Sequence, residues 1–285
     1  MNNQDHWTWD SVYPAPAKLN LFLHVVGRRA DGYHLLQTVF RFLGYGDRLR
    51  FSPGTDSQVT LLRPLPGVPP ESDLSVRAAR CLQEETGCRE GVRIAIEKRL
   101  PMGGGLGGGS SDAATVLLAL NHLWQTGVPR RRLQEIGLSL GADVPVFVFG
   151  ENAFAEGVGE ALRPVAALPA WYVVLEPPVQ APTALIFKDP RLKRDSTPVP
   201  ASAWRPGFGG NDLQAVAVRR YPEIARYLDW LARFGDARMT GSGACVFAEF
   251  AEEEAAREVL AKLPSDMRGW MAPGLDAHPL RALCE

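Results

Sequence analysis

Six of the seven residues from 103 to 109 are glycines, within the stretch PMGGGLGGGSSDAATVLLALN. The preceding stretch VRIAIEKRLP alternates apolar and polar residues, which predicts a strand. After the glycines, apolar residues recur at helical spacing between 113 and 124, which predicts a helix. We expect Ser110 or Ser111 to cap this helix, with Asp112 in its first turn. A glycine-rich loop joining a strand to a helix is therefore the strongest constraint on the fold.

Two familiar nucleotide-binding loops fit this glycine run poorly. Gly103, Gly105 and Gly108 satisfy the GxGxxG pattern of dinucleotide-binding folds, but any glycine run does so by chance. Those folds also need an acidic residue about 20 positions further on, and the chain has none between 113 and 134. The Walker A pattern GxxxxGK[ST] requires a lysine where this chain has Gly109. Both alternatives are disfavoured.

A phosphate-binding loop of another kind fits better. Glycines let successive backbone N–H groups converge on an anion, because no Cβ atom blocks the approach. The helix N-terminus adds partial positive charge. The hydroxyls of Ser110 and Ser111 are able to cap the helix, bind phosphate oxygens or ligate Mg²⁺. A flexible linker is the plain alternative, but a linker needs neither a strand before it nor a capped helix after it.

Composition narrows the class of protein. The 285 residues suffice for one large domain or two ordinary ones, and 46% hydrophobic residues are typical of soluble globular chains. The net charge of −1 gives no overall attraction to nucleic acid or anionic membranes. Four cysteines without CxxC spacing disfavour a zinc site or disulfides. Without a signal peptide or a long apolar run, we expect a cytoplasmic protein that binds neither nucleic acid nor membrane.

Residue patterns also predict the other elements. Alternation predicts strands in AKLNLFLHVV, DRLRFS, QVTLLRP, WYVVLEPP and CVFAEF. Helical spacing predicts helices in LSVRAARCLQEETG, RRRLQEIGLSLG, NDLQAVAVRRYPEI, RYLDWLARF and EEEAAREVLAKL. ADVPVFVFG is expected to form a turn and a short buried strand. The proline-flanked RPVAALP suggests a domain boundary, giving domains 1–162 and 163–285. Residues 188–212 predict a long loop, and such loops are usually mobile or functional.

Three motifs resemble those of the GHMP kinase superfamily, in the same order. PAPAKLNLFL (14–23) resembles the first motif, and PMGGGLGGGSSDAA (101–114) the second, which holds the phosphates of ATP. TGSGACVF (240–247) resembles the third. PAKLNLFL, RADGYH, LGADVPVF and IFKDP together resemble one family of this superfamily, the 4-diphosphocytidyl-2-C-methyl-D-erythritol kinases of non-mevalonate isoprenoid synthesis. The resemblance extends from about Tyr13 to the C-terminus.

The resemblance implies an α/β (α+β) fold with two domains. The N-terminal ATP domain would be ribosomal-protein-S5-like and the C-terminal domain ferredoxin-like, with the active site between them. The implied reaction is ATP-dependent phosphorylation of the substrate 2-hydroxyl, with Mg²⁺ as for other ATP-dependent kinases, in a monomer or weak homodimer. A mevalonate- or homoserine-type GHMP kinase and a catalytically silent nucleotide-binding protein are the alternatives.

The resemblance implies two catalytic residues. Asp143 is the only acid in LGADVPVFVFG, and such a carboxylate is ordinarily a helix cap or turn residue. The resemblance instead makes it the general base towards the substrate hydroxyl. Its ordinary pKa near 4 makes it a weak base, which a loose transition state tolerates. Lys18 is implied to lie beside Asp143, where its charge keeps the carboxylate ionised and stabilises the developing alkoxide.

The resemblance also implies a site for cytosine. Residues 31–34 would ordinarily form a surface loop. The resemblance implies that Tyr33 and Phe187 stack on the two faces of the base while His34 recognises its polar edge. Thr183 is implied to contact the same region, and Asn20 to bond to substrate or phosphate. This cytosine grip distinguishes the family from the mevalonate and homoserine kinases, which do not require it.

The remaining implied contacts surround ATP. Lys98 is implied to lie where the adenine site approaches the glycine loop. Asp73 is expected to cap the following helix, and it replaces an asparagine usual in the family, so the adenine contact there loses an amide donor. Gly241 and Gly243 imply close backbone approach to substrate or phosphate, or a simple turn. The implied ATP-binding loop consists of Pro101, Met102, Gly103, Gly104, Gly105, Leu106, Gly107, Gly108, Gly109, Ser110 and Ser111. Either serine is a candidate Mg²⁺ ligand, and no acidic ligand is predicted.

Overall fold

The computed structural model describes residues 7–284. Its strands and helices alternate along the chain in a mixed α/β arrangement. Their bounds are β1 Tyr13–Arg28, β2 His34–Pro53, β3 Val59–Leu61, α1 Leu74–Thr86, β4 Val92–Glu97, α2 Gly108–Leu123, α3 Arg130–Leu140, α4 Val144–Phe149, β5 Ala153–Glu156, β6 Ala161–Pro164, β7 Trp171–Leu175, α5 Thr183–Lys188, α6 Gln214–Arg220, α7 Pro222–Leu231, β8 Arg238–Met239, β9 Val246–Phe250, α8 Glu253–Ala261 and β10 Gly269–Leu275.

The strands form one connected sheet in the order β3-β4-β2-β10-β7-β9-β8, with β1 and β5 also paired to β2. The antiparallel pair of β1 and β2 aligns Lys18 with Phe42 and Asn20 with Phe40, and the register shifts between Asn20 and Leu23. Helices α1 to α4 cover one apolar core, whereas α6 and α7 cover a second. No helix within residues 7–284 combines the length and apolar character needed to cross a membrane.

The halves of the chain share the sheet. Strand β10 pairs with both β2 and β7. Leu280 and Leu283, near the C-terminus, pack into the core that helices α1 to α4 cover. A cut near residue 163 would therefore leave part of the first core on the C-terminal piece, and the domain boundary remains a prediction.

Two local predictions are wrong. The segment predicted as a buried strand is helix α4, which has Pro145 in its first turn, where the missing N–H is tolerated. A short apolar run does not distinguish a buried strand from a buried helix by periodicity. Helix α2 begins at Gly108 with Gly107 as its N-cap, so Ser110 and Ser111 lie inside the helix and Asp112 beyond its first turn. The cap predicted at the start of α1 is confirmed.

His278 is fully buried against the edges of the Phe42 and Phe147 rings. Its Nδ1 accepts the N–H of Leu280, at 3.1 Å, while its Nε2 has no hydrogen-bond partner among residues 7–284. Burial and, less strongly, the charge of Arg130 lower the pKa of His278 to about 3. The folded chain therefore holds this imidazole neutral at pH values where an unfolded chain protonates it.

The protein should lose stability as the pH falls below about 6.5, because only the unfolded chain takes up the His278 proton between that pH and about 3. This site alone should lower the free energy of unfolding by about 2 kcal/mol between pH 6.5 and 5. His278→Asn should flatten that pH dependence in urea titrations. The same change at the partly exposed His122 is the control, and equal slopes for His278→Asn and wild type would contradict the account.

Candidate active site

A cavity of about 860 Å³ opens between the β1–β2 hairpin, the glycine loop, α5 and the 240–247 turn. Most of the residues predicted for the site line it, although they come from distant parts of the sequence. They are Lys18, Asn20, Tyr33, His34, Gly103, Gly105, Ser110, Asp143, Thr183, Phe187, Gly241 and Gly243. The sequence did not single out several further lining residues, among them Arg28, Asp31, Thr38, Lys188, Arg194 and Ser242.

The glycine loop needs its glycines for packing as well as for anion access. Gly103, Gly105 and Gly107 have φ values of +70°, +76° and +74°, a region that other residues rarely adopt. A Cβ atom at Gly105 would lie 2.2 Å from the carbonyl oxygen of Thr240. One at Gly107 would lie 2.9 Å from the Phe147 ring. The loop backbone therefore packs closely against the 240–247 turn and against Phe147 of helix α4.

Hydrogen bonds hold the three motifs together. The N–H groups of Ala244 and Cys245 donate to the carbonyls of Gly103 and Gly104, at 3.2 and 3.1 Å. The Thr240 hydroxyl accepts the N–H of Asn20 at 3.0 Å and donates to the Gly105 carbonyl at 3.3 Å. In addition, Lys18 N–H donates to Leu106 O at 2.9 Å. Strand β1, the glycine loop and the 240–247 turn are thus held together by hydrogen bonds.

Lys18 and Asp143 form an ion pair in the wall of the cavity. Lys18 Nζ lies 3.3 Å from Asp143 Oδ2, and the side chains are 3% and 37% exposed. The ammonium also donates to Asn20 Oδ1 at 2.6 Å, and Asn20 Nδ2 donates to Thr38 Oγ1 at 2.9 Å. Although Asp143 occupies the N-cap position of α4, its side chain makes no capping bond. Its carboxylate therefore faces a desolvated cation and an open cavity, an arrangement suited to accepting a proton.

Aromatic side chains also line the cavity. The rings of His34 and Phe187 lie 4.9 Å apart, tilted by 34°. Tyr33 is 65% exposed, which leaves its ring free to contact a flat ligand. Burial, followed by the charges of Arg194 and Arg28, lowers the pKa of His34, so the imidazole is neutral at neutral pH. Together these side chains offer stacking surfaces and an uncharged polar edge.

Thr183 and Ser242 connect α5 to the 240–247 turn. Their hydroxyl oxygens lie 2.7 Å apart, at hydrogen-bond distance. Gly241 and Gly243, on either side of Ser242, have φ values of +56° and +90°. This contact holds the start of helix α5, which contains Phe187, beside the 240–247 turn.

Lys98 lies beside Gly108, where the glycine loop leads into helix α2. Its ammonium bonds to carboxylates of Asp47 and Asp112, with 2.8 Å to Asp112 Oδ2. Burial disfavours the ammonium, but the two carboxylates outweigh this and raise the pKa of Lys98. Asp47 also accepts the N–H groups of Arg99 and Leu100, at 2.6 and 2.8 Å. Asp47 was not predicted from the sequence, because no local pattern distinguishes a buried acid from a surface one.

Asp73 and Ser111 were both predicted to contact ATP or its metal ion, and both form hydrogen bonds within the protein. Asp73 accepts the N–H of Ser75 at 2.8 Å and caps α1, while its predicted adenine contact, like that of Lys98, remains a prediction. Ser111 is fully buried and its hydroxyl donates to Pro16 O at 2.7 Å. This burial disfavours Ser111 as a phosphate or Mg²⁺ ligand, and that role stays a prediction. Ser110, half-buried in the cavity wall, keeps that possibility.

Comparisons with known proteins agree with this geometry. The GHMP kinases N terminal domain family matches residues 73–151, and the GHMP kinases C terminal family matches residues 202–269. A 4-diphosphocytidyl-2-C-methyl-D-erythritol kinase of Dechloromonas aromatica (strain RCB) is 60% identical over 270 residues. The match covers 94% of this chain and 98% of that relative. The chain belongs to this kinase family.

Solved structures support the family assignment and the fold. A crystal structure of a 4-(cytidine 5'-diphospho)-2C-methyl-D-erythritol kinase has a TM-score of 0.81 at 36% identity. That match covers 93% of this chain and 99% of the other. Methanococcus jannaschii mevalonate kinase has a TM-score of 0.65 at 15% identity over 93% of this chain and 98% of its own, and shares the fold alone. The predicted GHMP kinase fold is confirmed.

Proposed function

We propose that the chain transfers the γ-phosphoryl group of ATP to the 2-hydroxyl of 4-diphosphocytidyl-2-C-methyl-D-erythritol, giving the 2-phosphate and ADP. One observation carries this proposal beyond family membership. A single cavity joins the Lys18–Asp143 pair to the aromatic surfaces of Tyr33 and Phe187. A substrate whose reacting alcohol is tethered through a diphosphate to a flat base suits both ends of that cavity. Mevalonate and homoserine have no base to use the aromatic end.

The glycine loop is the proposed phosphate site. Residues 103–105 and 107–109 carry no Cβ atom that would block an anion from their N–H groups, and the helix dipole favours negative charge at the start of α2. Lys18 approaches the loop closely, because its Cε lies 3.1 Å from where a Cβ of Gly107 would be. Its ammonium is therefore placed to stabilise charge on the transferred phosphoryl group as well as on the acceptor oxygen.

Asp143 is the proposed general base. As the bond between the substrate oxygen and the γ-phosphorus forms, the bond from that phosphorus to the β–γ bridging oxygen breaks and ADP leaves. The proton of the 2-hydroxyl passes to Asp143. Lys18 Nζ, at 3.3 Å, forms an ion pair with this carboxylate. A loose transition state makes a weak base sufficient, because the hydroxyl becomes acidic late.

Magnesium belongs to this proposal. When bound with ATP, it would neutralise negative charge on the phosphate groups. Within residues 7–284, no three acidic, histidine or cysteine side chains cluster as a metal site. Mg²⁺ usually keeps waters and substrate phosphates as ligands. The Ser110 hydroxyl, in the cavity wall, is the protein group that we propose as an additional ligand.

The expected assembly and location complete the proposal. The assembly that we propose is a monomer or weak homodimer. We propose a cytoplasmic enzyme whose partners are ATP and the cytidine-diphosphate conjugate. The division at residue 163 is proposed as the border between an ATP domain and a substrate domain.

An ADP-release assay with a panel of alcohols tests the function. We expect ATP-dependent turnover with the cytidine-diphosphate substrate and none with mevalonate, homoserine or free methylerythritol. Turnover with mevalonate or homoserine in its place would favour the superfamily alternatives. ATP binding without turnover of any alcohol would favour a silent nucleotide-binding protein.

Phe187→Ala should raise KM for the cytidine substrate about 10-fold, because base–aromatic stacking contributes about 1–3 kcal/mol per base. The kcat should change little, since the ring lies away from the Lys18–Asp143 pair in our assignment. Leu185→Ala, an exposed residue of the same helix α5, is the matched control. Steady-state kinetics with saturating ATP measure both constants, and an unchanged KM would remove Phe187 from the base site.

A further inference from the structure

Arg194 lies in the 188–212 loop and is held by four hydrogen bonds. Its Nη1 donates to Leu192 O at 3.0 Å. Its Nη2 donates to Phe187 O at 2.9 Å and to Asp189 O at 2.8 Å. Its Nε donates to His34 Nε2 at 3.0 Å. The carbonyl contacts fix the guanidinium, so the remaining bond fixes the imidazole that faces the cavity.

This contact determines where the His34 proton lies. A guanidinium has donors only and stays charged in proteins. Nε2 of His34 must therefore be the acceptor, and in the neutral ring the proton must lie on Nδ1. An imidazolium would turn an N–H towards the guanidinium and add a second positive charge beside it. His34 thus offers an Nδ1–H donor to a ligand in the cavity.

Pyrimidine bases differ in what they offer to such a donor. Cytosine has a lone pair at ring N3 and accepts a hydrogen bond there, whereas uracil carries a hydrogen at N3 and donates. An imidazole fixed as a donor forms a hydrogen bond to N3 of cytosine. Its N–H would instead oppose the N3–H donor of uracil. An imidazole free to exchange tautomers would accept from uracil as readily as it donates to cytosine.

We propose that Arg194 is a positioning residue that locks His34 as an Nδ1–H donor and thereby makes the site prefer cytosine over uracil. The inference rests on the proposed function, since it assigns the base-recognition step of that reaction. The same guanidinium bonds to the Phe187 carbonyl, so it also couples the proposed stacking ring to the imidazole, 4.9 Å away. Arg194 acts through these neighbours and is not proposed to touch the reacting atoms.

Long-range nitrogen–proton correlation spectra of ¹⁵N-histidine-labelled protein without ligand test the tautomer directly. His34→Gln assigns the signal among the five histidines. Wild type should show the Nδ1–H tautomer, and Arg194→Met should convert it largely to the Nε2–H form that free imidazoles favour. Lys193→Met, which removes a charge from an exposed neighbour in the same loop, should leave the signal unchanged. An Nε2–H tautomer in wild type would overturn the proposal without any variant.

Kinetics with the cytidine substrate and its uridine analogue test the consequence. Arg194→Met should raise KM for the cytidine substrate about 10-fold, change kcat less than about threefold, and reduce the preference for cytidine about 10-fold. Lys193→Met should change none of these. Arg194→Gln replaces Arg194→Met if circular dichroism shows the latter unfolded. An unchanged preference would overturn the inference, whereas wild type inactive on both substrates would instead refute the proposed function and leave the tautomer result standing.

Discussion

Asp143→Asn should lower kcat by about 10²- to 10⁴-fold, the range that a positioned general base contributes. An asparagine keeps the size of the side chain and an oxygen for the Lys18 ammonium, but it accepts no proton at neutral pH. Because Asp143 lies outside the glycine loop, ATP affinity should stay within about twofold. Coupled ADP release measures kcat, and equilibrium titration with ATP measures the affinity.

The control for this substitution is Asp56→Asn, the same change in an exposed turn. Its carboxylate accepts the N–H of Gln58, at 3.0 Å, a bond that asparagine retains. Both constants should stay at wild-type values in this variant. If Asp143→Asn retained a tenth or more of the wild-type kcat, the general-base assignment would be wrong and Asp143 would have only an electrostatic or positioning role.

Gly105→Ala should damage both stability and nucleotide binding. The new Cβ would lie 2.2 Å from Thr240 O, and the residue would keep a φ of +76° that alanine disfavours. The glycine loop must then move away from the 240–247 turn. We expect the free energy of unfolding to fall by about 3 kcal/mol, from about 1 kcal/mol of backbone strain and about 2 kcal/mol of overpacking. ATP affinity should fall at least about 10-fold as the N–H groups lose their alignment.

Gly127→Ala separates the cost of backbone strain from the cost of overpacking. Gly127 has a similar φ of +66°, but a Cβ there would meet nothing within 4 Å. Its substitution should therefore show the backbone strain alone, with ATP affinity unchanged. Urea denaturation of both variants gives the difference. Equal losses of stability would mean that the contact between the glycine loop and Thr240 contributes nothing.

The sequence predicted the strand and helix around the glycine loop better than the packing of the loop. A strand, a glycine run and a helix sufficed to indicate an anion site and to reject the Walker and dinucleotide alternatives. Nothing local showed that Gly105 lies against Thr240, since that contact joins segments 135 positions apart. Helix α2 also starts earlier than expected because Gly107 adopts a left-handed cap, which a run of glycines does not locate.

Asp143 shows what the resemblance added. From the residues alone, a helix cap was as good an interpretation of Asp143 as a catalytic acid. Asp143 does occupy the N-cap position of α4. Only the distance to Lys18 Nζ, with the open cavity, distinguishes an acid that is available for chemistry. Arg194 was missed for a related reason: it is one of several charges in a loop, and its role follows from three carbonyls and an imidazole that the fold brings together.

Phosphorus NMR of the purified product tests phosphoryl transfer to the 2-hydroxyl most directly. The carbon at position 2 carries the methyl group and no hydrogen, so a phosphate on its oxygen has no three-bond coupling to a proton. We predict a new phosphomonoester signal that stays a singlet without proton decoupling, formed in equal amount to ADP and absent with Asp143→Asn. A triplet or doublet would place the phosphate on the primary or secondary hydroxyl, and inorganic phosphate with unchanged alcohol would mean ATP hydrolysis. Either result would contradict the proposed reaction.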